Sequence, residues 1–163
     1  MRPNSRNRTV ELLRLMIEEG YSKKAWHGPN LRGAIRGVTC RQAARRPGPG
    51  RHNIWEIVVH TAYWKYIVLR RVFADKKFVF PLKGHNWFRR PLVLTARAWN
   101  HDVALLHETH RELAEAVSRL RDSDLKRIKH RGKHGVRSML WGIAAHDVYH
   151  AGQIQLIKRL HGI

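Results

Sequence analysis

GIAAHDVYHAGQIQLIKR, residues 142–159, is the stretch whose reading decides the fold. Ile143, His146, His150, Ile154 and Ile157 recur at steps of three and four, so they share one face of an α-helix. Met139 extends that face upstream, Gly132 and Gly135 bound its entry, and the pattern runs out near Gly162. Two positions of an otherwise apolar stripe are therefore histidines on adjacent turns. Taken alone, such a pair is weak evidence of a site in a chain with 12 histidines, because a buried imidazole is ordinarily a hydrogen-bonded core group.

A second stretch changes that weighing. In HNIWEIVVHTAYW, residues 52–64, and its continuation, Ile57, His60, Trp64 and Ile67 fall at helical spacing, with apolar groups on both sides of His60. If the two helices pack, His60 meets His146 and His150. Neutral imidazoles offer nitrogen lone pairs suited to a divalent transition metal such as Zn, Ni or Fe, and three protein ligands leave a position open to water or substrate.

The remaining periodicity supplies two further long helices. Thr9 is placed to cap one that runs to about Glu19, with Val10, Leu13 and Ile17 inward and Gly20 as its stop. Thr95 begins another, whose stripe of Trp99, Asp102, Leu106, Thr109, Leu113, Ala116 and Leu120 reaches about residue 120. Between them lie a short helix through Leu31 and Ile35, a capping box from Thr39 to Gln42, and a break at residues 47–50. Residues 74–94, interrupted by Pro81, Gly84 and Pro91, read as a long connection whose Trp87 and Phe88 can cover an end of the core. No strand pattern persists, so the expectation is an all-α fold, a four-helix bundle forming a single domain over residues 1–163.

Composition limits the function classes. A chain with 43% hydrophobic and 27% charged residues is expected to fold. Its single cysteine, Cys40, excludes an intrachain disulfide and a multi-cysteine zinc site. No apolar run approaches the ~18 residues of a membrane span, and the basic N-terminal stretch lacks an apolar signal core, so no membrane span and a cytoplasmic location are expected. Against these ordinary features stands the charge: 32 Lys and Arg against 12 Asp and Glu give +20 at pH 7. That field attracts nucleic acid or another polyanion, although the cations, from Arg2 and Arg6 through Lys76 and Lys77 to the run at 127–133, are scattered along the chain.

Several side chains are candidates for chemistry beside the histidines. Asp102 interrupts an apolar stripe and could orient a ligand imidazole, though a structural ion pair suits it as well. Asp147 neighbours a ligand but points away from it, as an outward carboxylate or a packing partner. Tyr63, Trp64 and Tyr149 can shape a substrate mouth or simply pack, and Gln153 can offer a polar contact near the histidine pair. Cys40 has no visible relation to the triad, and the pairs Arg45–Arg46 and Arg89–Arg90 are candidate phosphate contacts or solvated surface.

With WHGPNLRGAIRGV at 26–38, the two histidine stretches resemble the DinB-like superfamily, including its YfiT-like metal-dependent proteins. The family's helix-borne histidine matches His60, and its C-terminal HxxxH pair matches His146 and His150. The resemblance implies an up-down four-helix arrangement with a long crossover, a three-histidine metal site and frequent homodimerisation. It also implies a metal-dependent hydrolase or a thiol-dependent transferase acting on a small molecule, while leaving the substrate open.

Overall fold

In the computed structural model, which describes residues 7–73, 79–126 and 134–163, six α-helices follow one another without a strand among the described residues. They are α1 (Arg8–Tyr21), α2 (Leu31–Ile35), α3 (Cys40–Ala44), α4 (Ile54–Phe73), α5 (Ala96–Ser118) and α6 (Val136–Leu160), with a 3-10 turn at Asp122–Lys126 before α6. The expected all-α class is observed. The expected simple four-helix bundle needs correction: α2 packs on α6 and α3 on α4, so two five-residue helices join the four long ones in the core. Gly132, Ala74 and the cations Arg2, Arg6, Lys76, Lys77 and 127–133 lie outside the described residues.

Helix starts follow local chemistry at α2 to α5, whereas α6 is entered at Gly135 with no side-chain bond and α1 is held from afar. Asn30, Thr39 and Thr95 accept hydrogen bonds from Gly33, Gln42 and Ala98, and the Gln42 side chain in turn accepts from the Thr39 amide, completing the capping box. At α4, Asn53 Oδ1 accepts from the Glu56 amide, while its Nδ2 donates to the carbonyls of Ala44 and Arg90. One amide side chain thus starts α4 and ties it to α3 and to the connection. At α1 the free amides of Thr9 and Val10 donate to the carboxylate of Asp122, over a hundred residues away, and Thr9 is not the cap. Nor does Gly20 stop α1. It lies inside the helix, buried against α6, where a Cβ would sit 3.0 Å from the Ala144 carbonyl oxygen.

Two apolar clusters fill the interior. One gathers Leu31, Ala34, Trp55, Val58, Val59, Leu106 and Ile154, and the other Leu13, Ile17, Val72, Leu113, Val136 and Leu140. Along α6 the change from one to the other falls between Ala144 and Ala151, the segment that carries His146, Asp147 and His150. The polar groups of the site therefore occupy the seam between two apolar masses. Helix α4 runs antiparallel to α6 across this seam, since His60 meets His146 and His150 while Ile67 and Arg71, further along α4, line a groove with Ser138 and Met139, earlier on α6.

Candidate metal centre

His60, His146 and His150 converge at the seam. His146 Nε2 lies 3.1 Å from His60 Nε2 and 3.1 Å from His150 Nε2, and one nitrogen from each ring falls within 4.8 Å of the others. His60 and His150 are buried and His146 is partly so. Burial holds the pKa of His60 below the ordinary imidazole value, and takes His146 to about 3 and His150 to about 4, with the neighbouring rings of the cluster adding to the effect. The rings are accordingly neutral near pH 7, the form that carries a free lone pair.

Hydrogen bonds decide where two of those lone pairs point. His60 Nδ1 is 2.9 Å from the carbonyl oxygen of Asn86, and His150 Nδ1 is 2.7 Å from Gln153 Oε1. A carbonyl oxygen only accepts, so both Nδ1 atoms carry the hydrogen and both Nε2 atoms present lone pairs toward His146. Both lone pairs are aimed at His146 Nε2, and a cation between the rings satisfies both 3.1 Å contacts at once, whereas a hydrogen on His146 Nε2 serves only one of them well. The donor set, its inward aim and the carbonyl-held rings match the arrangement in which proteins hold a transition metal. His146 departs from it in one respect, its Nδ1 being buried without a hydrogen-bond partner.

Aromatic groups enclose the cluster. The indole of Trp87 stacks on His60 at 3.8 Å and on His52 at 3.6 Å, so it is sandwiched between two imidazoles. Trp64 donates its Nε1 hydrogen to Asn86 Oδ1 at 3.0 Å. Asn86, at φ 62°, therefore presents its backbone carbonyl to His60 and its side chain to Trp64, fastening the connection onto α4. The role of Asn86 is absent from the sequence reading, and the only local signal was an asparagine after Gly84, a residue type that tolerates the left-handed conformation.

Other candidates separate into those that reach the cluster and those that do not. Gln153 reaches it through His150, and its Nε2 donates to Tyr149. Asp102 does not: its carboxylate accepts from Trp55 Nε1 and Arg90 Nε, both at 2.7 Å, which is a structural network. Asp147 is fully buried and paired with Lys65, so an outward carboxylate is excluded. Burial raises the Asp147 pKa and lowers that of Lys65, each opposed by the partner's charge. Tyr63 packs on Phe80 and Phe88. Cys40 opens α3 half-buried against the core, with no contact to the cluster.

Of the paired arginines, Arg46 binds Glu56 and Arg90 binds Asp102, leaving Arg45 and Arg89 exposed. Glu56 is pushed up by burial, yet its bonds from Arg46, His52 and the Arg90 amide outweigh this and hold it below the usual carboxylate value. The arginine pairs are thus half structural.

An all-α fold carrying three converging, neutral, inward-aimed imidazoles defines a protein with a site able to hold a metal ion. Compared with known families, residues 25–154 match the DinB superfamily, and the chain belongs to it. The match spans α2 to α5 and most of α6, including all three histidines, and begins after α1. Neither the curated proteins nor the solved structures contain a match to this chain. No helix among the described residues is long and apolar enough to cross a membrane.

Proposed function

We propose that this chain is a metal-dependent protein of the DinB superfamily that acts on a small molecule, with His60, His146 and His150 as the protein ligands of one divalent transition metal. The observation that supports it is the pair of 3.1 Å Nε2 contacts at rings whose Nδ1 atoms are already committed to oxygen acceptors. Three imidazoles suit Zn, Ni or Fe. When bound, such an ion supplies Lewis acidity, lowering the pKa of a thiol or water or polarising a carbonyl. The chain's own groups do the rest: Asn86 and Gln153 orient two rings, and Trp87 and Trp64 limit access of water.

Between hydrolysis and thiol-dependent transfer, the surroundings favour the second. The two carboxylates that flank the histidines in sequence or stripe, Asp102 and Asp147, are committed to Arg90 with Trp55 and to Lys65. Neither is free to serve as a general base. A thiol, ordinarily near pKa 8.5, needs far less help to ionise than water does.

Metal content measured on tag-free protein tests the site. About one ion per chain is expected for the wild type, and strong loss in folded H60A, H146A and H150A. Undiminished occupancy in all three variants ends the proposal. Turnover of a thiol with an electrophilic acceptor, compared with ester hydrolysis, then separates the two reactions.

A second reading is polyanion binding. Arg32, Arg36 and His107 line a polar cleft of about 380 Å³ that no carboxylate lines. Nucleic-acid binding there weakens steeply with added salt, because phosphate contacts release counterions. We also infer a single cytoplasmic domain that pairs into a homodimer through the exposed face of α6, where Trp141, Val148, Tyr149, Leu156 and Leu160 stand in solvent. Sedimentation of wild type and Leu156→Glu tests the pairing, which the charged variant should abolish.

A further inference from the structure

A groove of about 310 Å³ runs between α4 and α6 and begins at the candidate metal centre, since the ring of His146 lines it. Trp64, Ile67 and Ile143 form apolar walls, and Arg71 stands at the other end. From Trp64 to Arg71 is about 10 Å along the helix at 1.5 Å per residue. No Asp or Glu lines the groove, and Arg71 has no hydrogen bond or ion pair among the described residues.

Gly142 helps to keep this space open. It lies inside α6, where glycine is the least favoured residue after proline, and it lines the groove. Unlike Gly20, it is not required by packing, because a Cβ there would meet nothing within 4 Å. Any larger side chain at this position would project into empty space beside the groove walls. The glycine costs helix stability and leaves the groove open.

We propose that this groove binds an amphipathic carboxylic acid, with its apolar body along Trp64, Ile67 and Ile143, its carboxylate on Arg71, and its opposite end beside His146. The acid is the substrate class of the site proposed above, and the proposal rests on that reading only at the His146 end. Selectivity arises from the guanidinium, which binds a carboxylate through a charge-assisted bond that an alcohol cannot reproduce.

Calorimetric titration of chelator-treated, metal-free protein with octanoate and with 1-octanol tests it, because groove binding is then read apart from metal binding. Octanoate is expected to bind about tenfold more tightly than 1-octanol, the worth of one charge-assisted hydrogen bond. Arg71→Gln should bring the two within about twofold, while Arg89→Gln, an equal loss of net charge elsewhere, should leave the preference unchanged. Gly142→Leu should weaken octanoate by about tenfold or more at unchanged helical content and metal stoichiometry. Equal affinities of the wild type for acid and alcohol, or a preference that survives Arg71→Gln, would overturn the proposal. Should Gly142→Leu not fold, the Arg71 comparison decides. A negative result here leaves the three-histidine site untouched, whereas loss of that site is read from metal content.

Discussion

Gln153 Oε1 lies 2.7 Å from His150 Nδ1, one helical turn along α6, so the ring that faces the cluster is held by the helix that carries it. The bond fixes both the tautomer and the plane of His150, and Gln153 is itself held by its bond to Tyr149 at 2.9 Å. Gln153→Ala is expected to weaken metal binding by about 10- to 100-fold without changing stoichiometry, the usual cost of losing such a partner. Chelator competition measures this. Affinity equal to the wild type's would show that packing alone orients the ring.

Lys65 and Asp147 carry a different prediction. Both side chains are fully buried, and Asp147 Oδ1 has no hydrogen-bond partner, so the pair loses hydration that its mutual bond and the Tyr21 ring 4.9 Å from Lys65 Nζ only partly replace. Lys65→Met leaves a carboxylate alone in an apolar interior and should cost about 3–5 kcal/mol in urea unfolding. Replacing both, as Lys65→Met with Asp147→Leu, should recover most of that loss. A double variant as unstable as the single one would mean that the pair stabilises the fold beyond cancelling its own burial.

The contrast between Asp147 and the histidines shows what a sequence of this kind discloses. His60, His146 and His150 were legible because periodicity alone places each on an apolar face, and facing helices must bring such faces together. Asp147 was not, because its burial depends on Lys65 arriving from another helix, which no local pattern encodes. Asp122 capping α1 and Asn86 gripping His60 were hidden for the same reason, as each acts across a large sequence separation. The six-helix architecture was half visible: the short helices showed in Leu31 with Ile35 and in the capping box from Thr39 to Gln42, but the Asn30 cap and the packing of both helices on α6 and α4 did not. Gly20 misled because glycine both ends helices and permits their close approach, and the sequence does not distinguish the two.

His110 should shape the acid limb of stability. It stacks on Tyr21 at 3.7 Å, both ring nitrogens lack hydrogen-bond partners, and the nearest Glu18 oxygen is 3.7 Å away, beyond hydrogen-bond range. Burial, reinforced by Lys65 and His107, takes its pKa to about 2, against 6.5 for the ordinary group. With the folded value depressed, the unfolded chain binds the extra proton below pH 6.5, so stability is full above that value and falls as the pH drops toward 2. At two units below the unfolded pKa the loss approaches about 2.7 kcal/mol, at 1.36 kcal/mol per unit. His110→Phe keeps the stacking and removes the titration, so its stability should decline less than the wild type's between pH 6.5 and 4.5. Parallel curves would place the acid sensitivity elsewhere, in His146 and His150 among others.

Asn86 allows backbone shape to be separated from side-chain bonding at the centre itself. Its φ of 62° aims the carbonyl at His60 Nδ1, while its side chain accepts from Trp64. Glycine adopts that φ without strain, so Asn86→Gly should retain the His60 bond and lose only the Trp64 one, costing about 1 kcal/mol of stability with metal affinity little changed. Valine is strained at positive φ by its branched Cβ, so Asn86→Val should draw the carbonyl away from His60 and lower metal affinity by about tenfold or more. The two substitutions delete the same side-chain bond, and the difference between them isolates the carbonyl. If glycine and valine variants bind metal equally, the left-handed turn is not what holds His60 in place, and the Trp87 stack at 3.8 Å becomes the remaining restraint on that ring from the connection.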